Sequence, residues 1–469
     1  MKRRTKIVCT IGPSSDSEEM LARLMGAGMN VARLNFSHGL PDYHRALLRR
    51  IQRVRKALKK PVAILQDLQG PKIRIGRIGE GGARLRPGQE FVLTTEPVVG
   101  DARRVSVSLK SLPEEVAEGH SILLADGNIE LRVESVRTPE IVCRVIVGGT
   151  LTSHKGVNLP DSPVHTDSMT QKDRSDLQIG LEEGVDAVAL SFVRTASDIE
   201  KIRRVMKRRG ASVPVVAKIE KHEAVANIDE IVEASDAVMV ARGDLGVEID
   251  IETVPLVQKA IIQKCNIVGK PVITATQMLV RMVDSPRPTR AEAADVANAV
   301  LDGTDAVMLS EETAVGQYPV EAVEMMDRIV RTAEAALNAS KFESQPQIAG
   351  VRDAITRSAY FIAKEIGAAA IITPTSSGST ARLVSRFRPK QPIVATTPNE
   401  STHDFLALSW GVEPIFVPPS TTIDDQIHGS IGAAKSAGHV DSGQHVVITG
   451  GVPLHVPGKT NFIKVEQVE

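Results

Sequence analysis

Residues 236–244 read DAVMVARGD, an apolar run of strand length that stops abruptly at arginine, glycine and aspartate. Successive apolar positions are typical of a strand buried on both faces in a parallel sheet. Similar runs begin at residues 5, 31, 62, 187, 213, 271 and 305. Helix-like stretches lie between them, at 17–28, 42–58, 197–209, 223–234 and 289–301. Eight such strand–helix units predict a closed (β/α)8 TIM barrel.

The spacing of the apolar runs breaks once, after the third run. The sequence there consists of alternating segments such as SILLADGNIELRVESV, separated by turn dipeptides, which predicts an inserted small all-β domain, a barrel or a sandwich. After about residue 340 a new alternation predicts a separate α/β open-sheet domain. The predicted domains are a catalytic barrel at 1–70 and 161–340, an inserted β domain (lid) at 71–160, and a C-terminal α/β domain at 341–469.

The composition excludes several classes of partner. The 469 residues include 57 basic and 57 acidic side chains, so no overall field attracts nucleic acid or an anionic membrane. Cys9, Cys143 and Cys265 have neither paired spacing nor nearby histidines, which argues against disulfides and a zinc site. No segment approaches the roughly 18 consecutive apolar residues of a membrane span. We expect a soluble cytoplasmic protein with buried thiols.

The carboxyl ends of the predicted strands are rich in charge and hydroxyl groups. In a (β/α)8 barrel these positions carry the function, and they include Arg33, Asn35, Ser37, Asp67, Lys218, Glu220, Arg242, Asp244, Thr276, Ser310, Glu311 and Glu312. Carboxylates and cations at one mouth suit a divalent cation with an anionic substrate. The oxygen donors favour Mg²⁺ or Mn²⁺ over Zn²⁺. Gly243 allows the backbone to approach a ligand, although RGDLG alone is equally typical of a tight turn.

Nine motifs, in order over nearly the whole chain, resemble those of the pyruvate kinase family. They are TKIVCTIGPSS, GMNVARLNFSHG, DLQGPKIR, KGVNLP, AKIEKHEAV, MVARGDLGVE, ITATQML, PRPTRAEAADVANAVLDGTDAVMLS and ETAVGQYPVEAV. The resemblance implies the same three-domain organisation, with a regulatory C-terminal domain, and a homotetramer. It implies phosphoryl transfer from phosphoenolpyruvate to ADP, giving pyruvate and ATP, the last step of glycolysis.

The resemblance also implies roles for residues at the barrel mouth. Glu220 and Asp244 match the ligands of the divalent cation. Lys218 matches the cation beside the transferring phosphoryl group and the developing enolate oxygen, where a preorganised charge is worth most. Arg33 matches the arginine that contacts the phosphoryl group. From the residues alone, Lys218 is also compatible with a lysine that reaches solvent, and Arg33 with a salt bridge across the mouth.

Other residues are matched to the substrate carboxylate and to the nucleotide. Thr276, with the backbone of Gly243 and Asp244, matches the cradle of the carboxylate and lies near the point where the enolate receives its proton. The nucleotide contacts implied by the resemblance are Arg74 and Lys155, one at each junction of the inserted domain, with Asn35 and His38. A closing lid would bring Arg74 and Lys155 to the barrel mouth. Ser37 and His38 are also typical of residues that cap a turn.

One departure from the family pattern concerns potassium. Family members commonly bind K⁺ with ligands that match Asn35, Ser37 and Asp67, and they read Thr-Lys-Gly-Pro-Glu after the aspartate. This chain reads LQGPK at 68–72, so Lys72 replaces an acidic residue. A tethered ammonium group supplies one positive charge, and Asp67 is available to pair with it. We therefore expect an enzyme that needs Mg²⁺ but not K⁺.

A second candidate site lies in the C-terminal domain. The loop TPTSSGST at 373–380 precedes a helix-like segment, where hydroxyls and backbone N–H groups can gather. The resemblance implies a sugar-phosphate or nucleotide effector here, with 450–465 as the second wall. The residues concerned are Thr375, Ser376, Ser377, Gly378, Ser379 and Thr380. A capping turn without a ligand is the alternative.

Two other functions fit part of the pattern. A Mg²⁺-dependent barrel aldolase or lyase would use the same carboxylates to stabilise an enolate, but it leaves Arg74, Lys155 and the inserted domain unexplained. A non-catalytic sugar-phosphate sensor would use the 373–380 loop and gives no reason for Lys218 and Glu220 to stay together. Pyruvate release that depends on ADP separates the first function from both alternatives.

Overall fold

A computed structural model describes residues 2–162, 167–337, 340–344, 346, 350–454, 456 and 458–469. The chain begins with β1 (Lys6–Thr10), α1 (Glu18–Ala27), β2 (Val31–Asn35), α2 (Pro41–Leu58) and β3 (Ala63–Asp67). Short strands and one helical turn follow: β4 (Ala83–Leu85), β5 (Glu90–Thr94), β6 (Arg104–Ser106), α3 (Leu112–Glu115), β7 (Ser121–Leu124), β8 (Ile129–Arg137), β9 (Glu140–Val147), β10 (Gly149–Leu151) and β11 (Val157–Asn158).

The alternation of helices and strands then resumes. It comprises α4 (Gln171–Glu183), β12 (Ala187–Leu190), α5 (Ala196–Arg208), β13 (Val215–Ile219), α6 (His222–Ala226), α7 (Ile228–Ala234), β14 (Ala237–Ala241), α8 (Arg242–Glu248), α9 (Val254–Val268), β15 (Val272–Ala275), α10 (Arg290–Asp302), β16 (Ala306–Leu309), α11 (Glu311–Ala314) and α12 (Pro319–Ala335). The last elements are α13 (Ser340–Glu343), α14 (Val351–Glu365), β17 (Ala370–Pro374), α15 (Ser379–Ser385), β18 (Ile393–Thr397), α16 (Glu400–Leu406), β19 (Val412–Phe416), α17 (Ile423–Ser436), β20 (His445–Gly450) and β21 (Phe462–Gln467).

Eight parallel strands close into a barrel in the order β1, β16, β15, β14, β13, β12, β3 and β2. The pairing of β3 with β12 closes the barrel across the inserted segment. Almost every strand residue is buried, because one face of each strand points into the barrel and the other packs under the helices. The predicted (β/α)8 barrel is confirmed.

Apolar side chains close the amino end of the barrel. Ala63 and Ala187, each the first residue of its strand, belong to an interior cluster that also contains Phe405 and Leu408 from the C-terminal part of the chain. The predicted site residues Lys218 and Asp67 lie at the opposite, carboxyl ends of their strands, where barrels of this type carry their active sites.

The predicted helices match the observed ones except in one place. The helices expected at 17–28, 42–58, 197–209 and 289–301 are α1, α2, α5 and α10. The helix expected at 223–234 is interrupted at Asn227, whose side chain donates to the Arg194 carbonyl at 3.0 Å and whose backbone ends α6. RGDLGVE forms α8 instead of the tight turn that was the alternative.

The inserted segment and the C-terminal part have sheets of their own. The insert has a curled six-stranded mixed sheet, β11-β7-β8-β9-β5-β6, and the pair β10-β4, around a separate apolar core. The helical turn α3 is the exception to the all-β prediction. The C-terminal sheet has the order β19-β18-β17-β20-β21, with β21 antiparallel to β20. The precise domain boundaries stay a prediction.

The three cysteines are free and buried, as expected. Burial raises the pKa of the Cys143 thiol to about 12, which keeps it unreactive near neutral pH. None of the helices in the described part of the chain has the length and apolar character needed to cross a membrane.

Candidate active site

Lys218 lies at the centre of the barrel mouth. Its Nζ is 2.7 Å from Ser191 Oγ, 2.8 Å from Glu220 Oε1 and 3.2 Å from Asp67 Oδ1. Burial alone would lower the pKa of this ammonium group, but the carboxylates of Asp67 and Glu220 raise the pKa above its usual range. Lys218 is therefore a fixed positive charge at neutral pH and does not reach out into solvent.

Arg33 lies beside Lys218 and shares a carboxylate with it. Its Nε donates to Asp67 Oδ2 at 2.7 Å, and its Nη1 donates to Thr10 Oγ1 at 2.8 Å. The salt bridge across the mouth is thus present. It leaves Nη2 without a hydrogen-bond partner among the described residues. Burial raises the pKa of Asp67, but Lys218 and Arg33 outweigh it and hold that pKa below its usual range.

Glu220 and Asp244, at the ends of adjacent strands, form a pair of carboxylates. Glu220 is buried, and its Oε2 accepts the Phe192 N–H at 2.8 Å. Burial raises the pKa of Glu220, Lys218 opposes this, and the charge of Asp244 raises it further. No cluster of three or more histidine, cysteine or acidic ligands occurs among the described residues. Two carboxylates in mutual repulsion fit a hard divalent cation, which completes its coordination with substrate oxygens and water.

Thr276 and Gly243 meet at the mouth, as expected. The Gly243 N–H donates to Thr276 Oγ1 at 2.7 Å. Thr276 has a φ of 67°, a left-handed conformation that is strained for a β-branched residue. Arg242 holds this loop, because its guanidinium donates to the Thr276 carbonyl at 2.7 Å and to Asp295 at 2.7 Å. Arg242 is therefore a support for the loop.

Lys72 is at the mouth but does not pair with Asp67. Its Nζ lies 3.6 Å from Asp244 Oδ1. The prediction that Lys72 pairs with Asp67 is wrong, because the Asp67 carboxylate is buried and already contacts Arg33 and Lys218. Lys72 thus places its charge at one of the two candidate cation ligands.

The insert brings Arg74 and Lys155 to the same side of the mouth. Arg74 pairs with Gly156, the neighbour of Lys155, in an isolated antiparallel bridge, and its Nη1 donates to the His154 carbonyl at 3.0 Å. The side chain of Lys155 is exposed. The two junctions of the insert therefore run side by side, with Arg74 on one and Lys155 on the other.

The segment after β2 lies near Arg74 and Lys72. Asn35 Oδ1 accepts the Ser37 N–H at 3.1 Å, so Asn35 caps this turn. His38 is exposed. Partial burial lowers the pKa of His38, and the charges of Arg74 and Lys72 lower it further, which indicates that both cations act on this segment.

Two hydroxyl residues of the site were missed in the sequence, and one carboxylate at a strand end has a structural role. Ser191 links Lys218 to the Leu68 carbonyl, and Thr10 orients Arg33. Both hydroxyls lie at strand ends, so the rule that found Lys218 could have found them. Glu312 is buried and accepts the Leu279 and Ser310 N–H groups at 2.9 and 2.7 Å, so it supports loops, whereas Glu311 is exposed.

The loop at 373–380 forms hydrogen bonds within itself and also lines a cavity. Thr375 Oγ1 accepts the Gly378 N–H at 2.9 Å, and the hydroxyls of Thr380 and Thr460 are 2.7 Å apart. The loop lines a cavity of about 30 Å³ together with Gly451, Lys459 and other residues. Part of the predicted second wall at 450–465 thus faces the loop; His455 and Pro457 lie outside the described residues.

Comparison with known proteins identifies the class. Residues 2–323 match the family model for the barrel domain of pyruvate kinase, and residues 353–466 match the model for its alpha/beta domain. The chain therefore belongs to the pyruvate kinase family. It is a phosphotransferase of glycolysis that converts phosphoenolpyruvate and ADP to pyruvate and ATP, in a family that uses a divalent metal. The predicted activity is confirmed, and the lyase and sensor alternatives are set aside.

Individual relatives cover the chain end to end. It is 49% identical to the pyruvate kinase of Geobacillus stearothermophilus, over 100% of this chain and 81% of that protein. It is 46% identical to the pyruvate kinase of Clostridium acetobutylicum, over 100% of both. A crystal structure of a pyruvate kinase from Cryptosporidium parvum has a TM-score of 0.93 at 39% identity, covering 100% of this chain and 96% of that one.

Proposed function

We propose that this pyruvate kinase works with Mg²⁺ or Mn²⁺ and without K⁺, and that Lys218, Arg33 and Thr276 act at the reacting centre. The observation that carries the proposal is the charge arrangement at the mouth. Lys218 and Arg33 are locked by one buried carboxylate, and Lys72 lies beside the candidate cation ligand Asp244.

Lys218 and Arg33 act as preorganised charge in the transfer step. The bond between phosphorus and the enolate oxygen breaks while a β-phosphate oxygen of ADP bonds to phosphorus, so negative charge develops on the enolate oxygen. The protonated Lys218 stabilises that charge without having to reorganise. Arg33 keeps Nη2 available for a phosphoryl oxygen, while its Nε and Nη1 are held by Asp67 and Thr10.

Glu220 and Asp244 would hold the divalent cation. When bound, the cation neutralises charge on the phosphoryl and enolate oxygens. Thr276 and the backbone of Gly243 and Asp244 would orient the substrate carboxylate, and the Thr276 hydroxyl would take part in delivering a proton to the enolate carbon. Arg242 holds the Thr276 backbone through its carbonyl, and the Gly243 N–H and the Ala275 carbonyl hold the hydroxyl.

The nucleotide phosphates would bind between the insert and the barrel. Arg74 and Lys155 approach from the insert, and Asn35 and His38 from the loop after β2. A cleft between the junctions of the insert and the segments after β12, β13 and β14 is lined by Lys72, Asn158, Phe192, Asp244 and others. Closing this cleft brings the insert cations toward the phosphates and excludes water from the transfer.

The ammonium group of Lys72 is proposed to supply the single positive charge that a bound K⁺ would otherwise supply. The monovalent-cation ligands implied by the family are Asn35, Ser37 and Asp67. The carboxylate among them is already neutralised by Lys218 and Arg33, and the Lys72 charge acts on the adjacent His38. A further bound cation in this region would meet repulsion from Lys72.

The variant Lys72→Glu tests this proposal, because it restores the acidic residue typical of the family. We expect wild-type turnover to be independent of K⁺ and the variant to become activated by K⁺, measured as pyruvate formation at constant ionic strength. Lys207→Glu, on the exposed end of α5, is the matched charge reversal and should stay independent of K⁺. An unchanged K⁺ response in Lys72→Glu would contradict the role of Lys72.

We also propose a homotetramer with an effector-phosphate pocket at Thr375–Thr380. Lys459 supplies a cation to the wall opposite the loop hydroxyls. Activity at subsaturating phosphoenolpyruvate should respond to at least one of glucose 6-phosphate, ribose 5-phosphate and AMP, and Lys459→Ala should weaken the response. A flat response to all three phosphates would favour the capping turn without a ligand.

A further inference from the structure

Asn158, the last residue of β11, connects the inserted sheet to the barrel through one carboxylate. Its Nδ2 donates to Glu248 Oε1 at 2.9 Å. The same oxygen accepts from Lys221 Nζ at 2.7 Å. The Glu248 side chain is only 1% exposed. A single buried carboxylate therefore joins one segment of the insert to two segments of the barrel by charge-assisted hydrogen bonds.

The three segments joined at Glu248 also carry proposed site residues. Glu248 ends α8, the helix that begins at the carboxyl end of β14, and lies one helical turn after a candidate cation ligand. The site residues on the three segments are Asp244 in α8, Glu220 directly before Lys221, and Lys155 three residues before Asn158. The contact thus lies between the groups proposed to bind the divalent cation and those proposed to bind the nucleotide.

Helix α8 also lies close to a turn of the insert. A Cβ atom built on Gly127, in the turn between β7 and β8, would lie 3.6 Å from Val247 Cγ1. Glu248 Oε2 is buried and has no hydrogen-bond partner among the described residues, and His222 Nδ1 lies 3.9 Å from it. The carboxylate can therefore accept a further hydrogen bond without giving up those to Asn158 and Lys221.

We propose that Glu248 is a positioning residue for the nucleotide. It fixes the spacing between the insert and the cation-binding edge of the barrel through Asn158, so that phosphates held by the insert meet the reacting centre. This inference rests on the proposed function of the site. The groups proposed to bind phosphoenolpyruvate, namely Arg33, Lys218, Thr276 and the backbone of Gly243 and Asp244, all belong to the barrel. Loss of the Asn158 hydrogen bond leaves the Glu248–Lys221 contact of the barrel in place, so it should affect ADP far more than phosphoenolpyruvate. Small errors of position at a reacting centre cost large factors in rate.

The test compares KM for ADP with KM for phosphoenolpyruvate in Asn158→Ala. We expect KM for ADP to rise about tenfold or more, as for loss of a hydrogen bond to a charged group, with KM for phosphoenolpyruvate within about twofold. Gln89→Ala is the matched control, because Gln89 Nε2 donates to the Ala102 carbonyl at 2.8 Å within the insert, near the β5–β6 end of the sheet and opposite to β11. Asn158→Asp, in which two carboxylates oppose each other, should act in the same direction as Asn158→Ala.

A second, compensating substitution distinguishes a positioning role of Glu248 from a purely structural one. Glu248→Gln keeps an acceptor for Asn158 but leaves the Lys221 ammonium without its carboxylate, whereas Glu248→Gln with Lys221→Met removes both charges. The double variant should recover most of the wild-type KM for ADP. If Asn158→Ala leaves KM for ADP within twofold, or raises both KM values equally, the inference is overturned. If the wild-type protein itself fails to use ADP, the proposed function fails instead.

Discussion

Asp67 is the carboxylate that contacts both Lys218 and Arg33, and Asp67→Asn removes its charge with little change of shape. At the 3.2 Å separation of Lys218 Nζ and Asp67 Oδ1, the direct attraction is about 5 kcal/mol for an effective dielectric constant of about 20. Breaking a buried ion pair on one side costs about 3–5 kcal/mol, because the remaining charge stays buried. We expect the free energy of unfolding to fall by that amount.

The matched control is Asp167→Asn. Asp167 also contacts two cations, Arg174 at 3.3 Å and Lys201 at 3.2 Å, but its side chain is 49% exposed. Water screens such pairs, so the control should lose no more than about 1 kcal/mol. Urea unfolding at neutral pH, followed by circular dichroism, measures both variants.

The pH dependence of stability gives an independent check. The pKa of Asp67 is depressed in the folded state, so its stabilisation is present above the unfolded-state pKa of about 3.9 and is lost as pH falls toward the folded-state pKa. Asp67→Asn should therefore lose less stability than the wild type on acidification below about pH 4. Equal losses for Asp67→Asn and Asp167→Asn at neutral pH would refute the view that Asp67 organises the buried charges.

Three further predictions follow from the site. Lys218→Met should lower kcat by about 10²–10³-fold, the typical cost of removing a preorganised group that stabilises developing charge, while a thermal melt shows a folded protein; a loss below fivefold would remove Lys218 from the reacting centre. Gly70→Ala should destabilise the fold by about 1–3 kcal/mol in urea unfolding, because Gly70 has a φ of 69° and an added Cβ would lie 2.7 Å from Phe192 Cδ2; wild-type stability would contradict this packing. Light scattering coupled to gel filtration should give about four times the 50.4 kDa chain mass, and a monomer mass would exclude the proposed tetramer.

The sequence predicted the barrel and its mouth because both depend on local periodicity. Each apolar run has the length and pattern of a buried strand. Closure of the barrel then brings the carboxyl ends of the strands together, independently of the loop conformations. Lys218, Glu220, Asp244 and Thr276 could be named for that reason. Ser191, directly after β12, obeys the same rule.

Pairings that depend on competition between groups could not be read from the sequence. Lys72 was expected beside Asp67, but Arg33 and Lys218 already satisfy that carboxylate, so Lys72 lies beside Asp244. Glu312 had the same sequence signature as a mouth carboxylate, yet its two oxygens accept backbone N–H groups. The partner that each charged group contacts is determined by distances in the folded chain.

We infer that the Lys72 ammonium group gives this pyruvate kinase the positive charge that a bound K⁺ would otherwise supply. The most direct test of this inference is steady-state pyruvate formation by the wild-type protein from phosphoenolpyruvate and ADP with Mg²⁺, in K⁺ and in tetramethylammonium at equal ionic strength. We expect rates that agree within about twofold, because the Lys72 charge is already in place. Turnover in K⁺ alone would contradict the inference.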